Sequence, residues 1–189
     1  MSFFALDAKQ FATWKKKVAA KQAWDAEQAA AAKQPSKPTA DDDWSDVVSG
    51  KPEPDPSGYL SERAAEQLEI EWAHFGLSYL MQRAADVPYS LADLVPDVFG
   101  AGLGQRDNEP VVLDGPRVES GYQFLMRIRE TDLLGAWRPD EMRELGIFPS
   151  TAWGEPETLD TLIATFRDLV GLFERAHRKQ RVLVSLIMI

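Results

Sequence analysis

The chain has 189 residues, 44% of them apolar, which suits one domain with a sizeable core. Its 30 acidic side chains outnumber 21 basic ones, for a formal net charge of −9, and this disfavours nucleic acid and membrane partners, which need a positive surface. With no cysteine there is no disulfide, no zinc–thiolate centre and no thiol nucleophile, and a reducing compartment suits the composition.

The opening MSFFALDAKQF has neither a basic leader nor a long apolar run. No stretch approaches the roughly 20 apolar residues that span a bilayer, so cytoplasm is the expected location. Residues 2–6 are apolar enough for a first strand, and Asp7 is placed to cap a helix that continues to about Lys33 in Ala, Lys, Gln and Glu. Phe11, Trp14 and Val18 form one apolar stripe; Lys21 and Gln22 then occupy the positions where it should continue. Pro35 and Pro38 stop this helix. Residues 34–58 are rich in Pro and Asp and are expected to form an insertion or long loop without regular structure of its own.

A second helix is expected over 61–84, where Leu68, Trp72, Phe75 and Tyr79 recur at helical spacing and Gly76 interrupts at modest cost. Ser90 can cap a short helix over 91–95, and Gly100, Gly102 and Gly104 mark a loop. Residues 110–113, and those around Val118, suit short strands flanking Asp114-Gly115-Pro116; Pro116 cannot donate to a ladder, which argues against a regular hairpin. Residues 122–128 fit strand or helix. Thr131 begins a short helix; Pro139 opens another and Gly146 stops it. Residues 147–153 form an irregular apolar connector. The long helix over about 156–180 is the clearest element, with Leu159, Leu162, Ile163, Phe166, Leu169, Val170 and Phe173 on one face and a basic last turn. Residues 182–189 read as a buried final strand. The expected fold is mixed α/β in a single domain, 1–189: a small β-sheet covered by several helices, with a long C-terminal helix followed by a buried C-terminal strand.

Several stretches resemble the YfbM-like family, a bacterial family named as a domain of unknown function. They are Phe4-Ala5-Leu6-Asp7 running into the first helix, His74-Phe75-Gly76-Leu77-Ser78, the run PDEMRELGIFP from Pro139 to Pro149, Trp153, the long helix and the closing strand. Trp72 stands closer to the His than the family pattern has it, and 34–58 is an insertion against that pattern. The resemblance implies a compact α/β fold with helices around a small sheet and brings no catalytic mechanism. Some small acidic proteins of such families sit beside toxins and neutralise them, an analogy of gene context.

His74 and His177 are the only histidines available for acid–base chemistry. His74, between Trp72 and Phe75, reads as a core-edge imidazole, and His177 as a complement to a helix dipole. Asp41, Asp42, Asp43 and Asp46 lack the alternation, the Gly and the closing Glu of a calcium loop. Gly100 to Gly104 follows no clear strand and lacks a phosphate-binding lysine. No catalytic set, metal or cofactor is therefore expected. The sharpest recognition candidate is Asp41, Asp42, Asp43, Trp44 and Asp46, one ring inside an acidic rim; a solvated linker is the plainer reading. Trp72, His74 and Trp153 are a possible pocket. The expected function is a non-enzymatic binding protein, an immunity protein that neutralises a basic toxin or effector domain by occluding its active site. The alternative is a small-ligand enzyme or hydrolase using His74, which requires that imidazole to stand open in a pocket.

Overall fold

The computed structural model describes residues 1–31, 53–70, 72–86 and 110–186. In chain order the elements are β1 (Ser2–Leu6), α1 (Ala8–Ala31), α2 (Pro56–Arg63), β2 (Glu66–Glu69), α3 (Ala73–Ala84), β3 (Val111–Leu113), α4 (Gly115–Met126), α5 (Glu130–Ala136), α6 (Pro139–Glu144), a 3-10 turn (Ala152–Gly154), α7 (Pro156–Arg178) and β4 (Val182–Leu186). They divide into two compact units, Lys9–Arg63 and the remainder, Met1–Ala8 with Ala64–Ile189.

The larger unit is built on an antiparallel sheet in the order β2-β1-β4-β3. β1 lies inside it, paired on both edges, and every one of its residues is buried, which is why SFFAL reads as a continuous apolar run without alternation. Phe3 and Ala5 belong to the main core, where the ring of Phe3 meets that of Phe173 on α7 edge-on at 6.2 Å. Phe4 and Leu6 point to the opposite face with Val184 and Leu186 and are buried there. The mixed α/β class, the long C-terminal helix and the strand after it are as expected; within the expected strand 182–189, the last three residues lie outside the described ones.

The helix expected over 61–84 is instead α2, β2 and α3. Residues 64–69 are good helix formers, but β1 presents an open edge, and four residue pairs from Ser2↔Glu69 to Ala5↔Glu66 take it up. Backbone bonds from Ala65 N to Ala5 O (3.0 Å) and from Ile70 N to Met1 O (2.7 Å) extend the ladder at either end. Long-range pairing has overridden local propensity. Likewise Asp114-Gly115-Pro116 is the start of a helix and no part of a strand pair. Asp114 accepts the Arg117 amide (3.4 Å), Pro116 sits in the first turn, where its missing N–H is harmless, and Val118 and residues 122–126 are helical.

Two helices end in the same motif. After α6, Gly146 takes a left-handed φ of 66°, its amide donates to Arg143 O (3.0 Å), and Ile147 N donates to Met142 O (3.0 Å), with both Met142 and Ile147 fully buried. After α7, Gln180 takes φ 51°, with Gln180 N to His177 O (3.1 Å) and Arg181 N to Ala176 O (2.9 Å). The second turn is made without the glycine that such a conformation favours.

In the smaller unit the α1 stripe fades where expected: Trp14 is buried, whereas of residues 19–30 only Lys21 and Trp24 are part-buried and the rest are exposed. The Gln10 side chain donates to Arg63 O (2.5 Å), Tyr59 donates to Gln10 O (3.4 Å), and Lys21 pairs with Asp25 and with Glu53 (2.9 Å), fastening α1 to α2 and the residues before it. Asp55 accepts the Gly58 amide (2.8 Å) at the start of α2, so regular structure begins inside the segment expected to be loop. Residues 9–63 carry nine basic and nine acidic side chains. The net charge of −9 therefore belongs to the larger unit, with twelve basic and twenty-one acidic.

Candidate protein-binding face

Three of the stretches that carry the family resemblance, those with Gly76, with Ile147 and with Trp153 itself, meet around one side chain. Trp153 is fully buried, and its indole N–H donates to Ile147 O at 2.6 Å. Its ring meets Trp72 (5.8 Å) and Trp137 (6.3 Å) edge-on. Gly76 on α3 lies against it so closely that a Cβ there would stand 2.6 Å from the Trp153 ring. Gly76 is thus no mere interruption of a stripe: it is the clearance that lets the indole seat on α3. Thr158 donates to Ala152 O (2.7 Å), holding the first turn of α7 to the 3-10 turn.

This packing pushes two apolar side chains outward. Leu145 ends α6 at 42% exposure, and Phe148, one residue beyond buried Ile147, is 62% exposed. The peptide bond between Phe148 and Pro149 is cis. Phe148 is not loose: its ring leans edge-on against Phe75 at 6.3 Å. An aromatic ring held by its neighbours loses little freedom on binding, which makes it a good anchor.

On either side of this pair the sequence carries carboxylates. Asp140 pairs with Arg143, but Glu144, Glu155, Glu157 and Asp160 are exposed and make no ion pair among the described residues. They stand at the end of α6 and in the first turns of α7, whose positive dipole end tolerates them. The described structure thus holds an exposed ring that is close in sequence to exposed carboxylates, at a place that sequence reasoning did not single out. The signal was the odd GIFP run after a helix stop, where an apolar residue follows a buried one with no strand or helix to absorb it.

His74 is 6% exposed and its ring stacks near Phe75 at 4.0 Å. Trp72 and Trp153 are brought together, but as packing; none of the three residues of the expected pocket lines either of two surface concavities, one at the start of α4 and one between α4 and α7. An imidazole standing open to substrate, as the enzyme alternative requires, is not found at this position. On the same helix, burial pushes the Tyr79 phenol up to about 12, with the Arg83 guanidinium over its ring at 5.7 Å. His177 is exposed and stacks on Tyr122 at 5.2 Å. Among the described residues no group of three or more His, Asp or Glu could hold a metal ion, and no helix is long and apolar enough to cross a membrane. Asp41, Asp42, Asp43, Trp44 and Asp46, and Gly100 to Gly104, lie outside the described residues.

No functionally curated protein matches the chain. Among solved structures it resembles YfbM from Escherichia coli, a protein of unknown function, at 12% identity over 97% of this chain and 96% of that one, with a TM-score of 0.56; at this identity the likeness is one of fold. The family described as a domain of unknown function, DUF1877, matches residues 1–185, and the chain belongs to it.

Proposed function

We propose that this chain is a non-enzymatic protein-binding module, an immunity protein that neutralises a basic toxin or effector domain by covering its active site. The observation that carries this reading is Phe148: a large ring, 62% exposed and braced by Phe75, close in sequence to exposed carboxylates that make no ion pair among the described residues. Such a ring can fill an apolar pocket on a partner, while the carboxylates steer a cationic surface toward it and exclude acidic ones. The segment with Asp41, Asp42, Asp43, Trp44 and Asp46 has the same chemistry and is the second contact in this proposal.

A photo-reactive residue at position 148, with one at exposed Gln123 as control, tests the reading in the native host. A cationic protein captured at 148 and not at 123, and inhibited by the purified chain, is the expected outcome. Phe148→Ser should then weaken that complex by about tenfold or more, and Glu144→Lys with Glu155→Lys should slow its association. Neutralising the four aspartates near Trp44 measures the second contact. If both sets of variants bind the captured partner as well as the native chain does, or if an unrelated protein of equal net charge binds it as tightly, the proposal fails.

A further inference from the structure

Along α7 one line of exposed side chains changes sign. Asp160 and Arg178 are eighteen residues apart, about five full turns, so they leave the helix on the same side, and Arg167 between them lies within about 20° of that line. All three are exposed. Arg175 (2.5 Å) and Lys179 (3.3 Å) donate to Glu66 on β2, as does Arg181 (2.6 Å) just beyond the helix. Arg178 is outside that cluster: its side chain is 75% exposed, and the carboxylate it meets, Glu174 one turn back, stands at 3.9 Å. Asp160 makes no ion pair among the described residues and acts on Arg167 at longer range.

Midway between Asp160 and Arg178, α4 ends against α7. Leu125, Ile128 and Phe166 are buried, Val170 is half-buried, and with Met126 they line a groove of about 340 Å³. Met126 is 58% exposed although it belongs to the groove. Glu130 and Arg167 also line it. Arg167 donates to Glu130 through Nε (2.7 Å) and Nη2 (2.6 Å), so this polar part is neutralised within the chain. The groove lies at the level of residues 166–170, and Asp160 and Arg178 stand on either side of it along α7, each roughly 13 Å from the level of Leu169.

An exposed apolar side chain beside an apolar groove, with opposite charges at equal distances on either side, is self-complementary about a two-fold axis. We propose that this face pairs with a second copy of the chain, α7 against α7 in antiparallel sense. Met126 of each copy enters the groove of the other, and Asp160 of each copy meets Arg178 of the other at the two ends. A parallel arrangement would set like charges together. Each copy carries a formal charge of −9, so long-range repulsion opposes the pair and places its association in the high-micromolar range. Phe148, Glu144 and Glu155 take no part, so the pairing stands or falls apart from any binding of a basic partner.

Sedimentation velocity on the full chain between about 10 µM and 1 mM should show monomer giving way to dimer. Asp160→Arg alone and Arg178→Asp alone should each weaken the dimer by about tenfold or more, because either change breaks both ends of a two-fold interface. An equimolar mixture of the two variants should dimerise about as tightly as the native chain, since every opposed pair is again of opposite sign. Met126→Lys, a change that suits the last turn of α4, should also weaken the dimer by about tenfold or more. A monomer mass over the whole range, native-like dimerisation of either charge variant alone, no dimer in the mixture of the two folded variants, or native-like dimerisation of Met126→Lys would each overturn the proposal.

Discussion

The two ends of α7, about 34 Å apart, obey the same dipole rule with opposite consequences. At the N-terminal end Glu155, Glu157 and Asp160 suit the positive pole; none makes an ion pair among the described residues, although Asp160 acts at longer range on Arg167 of the same helix. At the C-terminal end Arg175, Lys179 and Arg181 suit the negative pole, and a carboxylate more than a hundred residues away in sequence is brought in to meet them. The basic end is used by the fold: it fastens an edge strand to the long helix. The acidic end has no such tie among the described residues, and exposed Leu145 and Phe148 stand shortly before it in sequence. What separates the two charge clusters here is pairing, not sign.

The comparison breaks most severely at the acidic end if its platform is removed. Trp153→Ala deletes two ring contacts, the packing against Gly76 and the donor to Ile147 O, and should lower stability by about 4 kcal/mol. Gly76→Ala drives a methyl into the same ring from the other side and should lower it by about 2 kcal/mol. Urea unfolding midpoints read both. If Gly76→Ala is neutral, the close approach of α3 is not what seats the indole.

At the basic end, Glu66→Gln leaves three cations without their shared carboxylate and should lower stability by about 1–2 kcal/mol, less at high salt. The same pairing has a pH signature. Burial pushes the Glu66 carboxyl up, but hydrogen bonds from Arg175 and Lys179 outweigh it and hold its pKa below the ordinary 4.5. A depressed carboxylate stabilises the fold fully above its unfolded value and loses that contribution as pH falls through the lower folded value. The stability gap between native chain and Glu66→Gln should therefore be constant at neutral pH and shrink below about pH 4.5. A gap that persists unchanged in acid would mean the cations are not held by charge.

Much of this contrast was legible in sequence at one end only. The stripe and basic last turn of α7, the first strand, the Pro139 start and the Gly146 stop are local signals, and each is where periodicity or turn chemistry places it. Glu66 was not legible, because its strand is made of helix formers and exists only through pairing with β1, sixty residues away. Asp114-Gly115-Pro116 serves equally as a turn or a helix start, and only the packing of α4 on α7 decides it. The site was less legible still. Trp72, His74 and Trp153 were marked as chemistry-bearing types, but large aromatics near a lone imidazole are first of all core. Phe148 falls in the irregular apolar connector over 147–153, where no periodicity assigns a residue to one face, and it is exposed beside buried Ile147.

Gln180→Gly tests whether the basic end carries strain. Relieving a left-handed non-glycine residue of φ 51° should raise stability by about 1 kcal/mol, although glycine returns part of that through the greater freedom of its unfolded chain. No gain in the thermal midpoint would mean that the turn is unstrained.

The smallest stability change is expected where the functional one is largest. Phe148→Ser removes a ring that is 62% exposed and touches the fold through the edge of Phe75, so unfolding should shift by less than about 0.5 kcal/mol. A core residue of that size costs several times more, as Trp153→Ala does a few residues away. The two substitutions therefore separate what the ring does for the fold from what it does for a partner. If Phe148→Ser destabilises the chain as a buried phenylalanine would, the ring belongs to the core, and the acidic end of α7 loses the feature that distinguishes it from an ordinary solvated helix start.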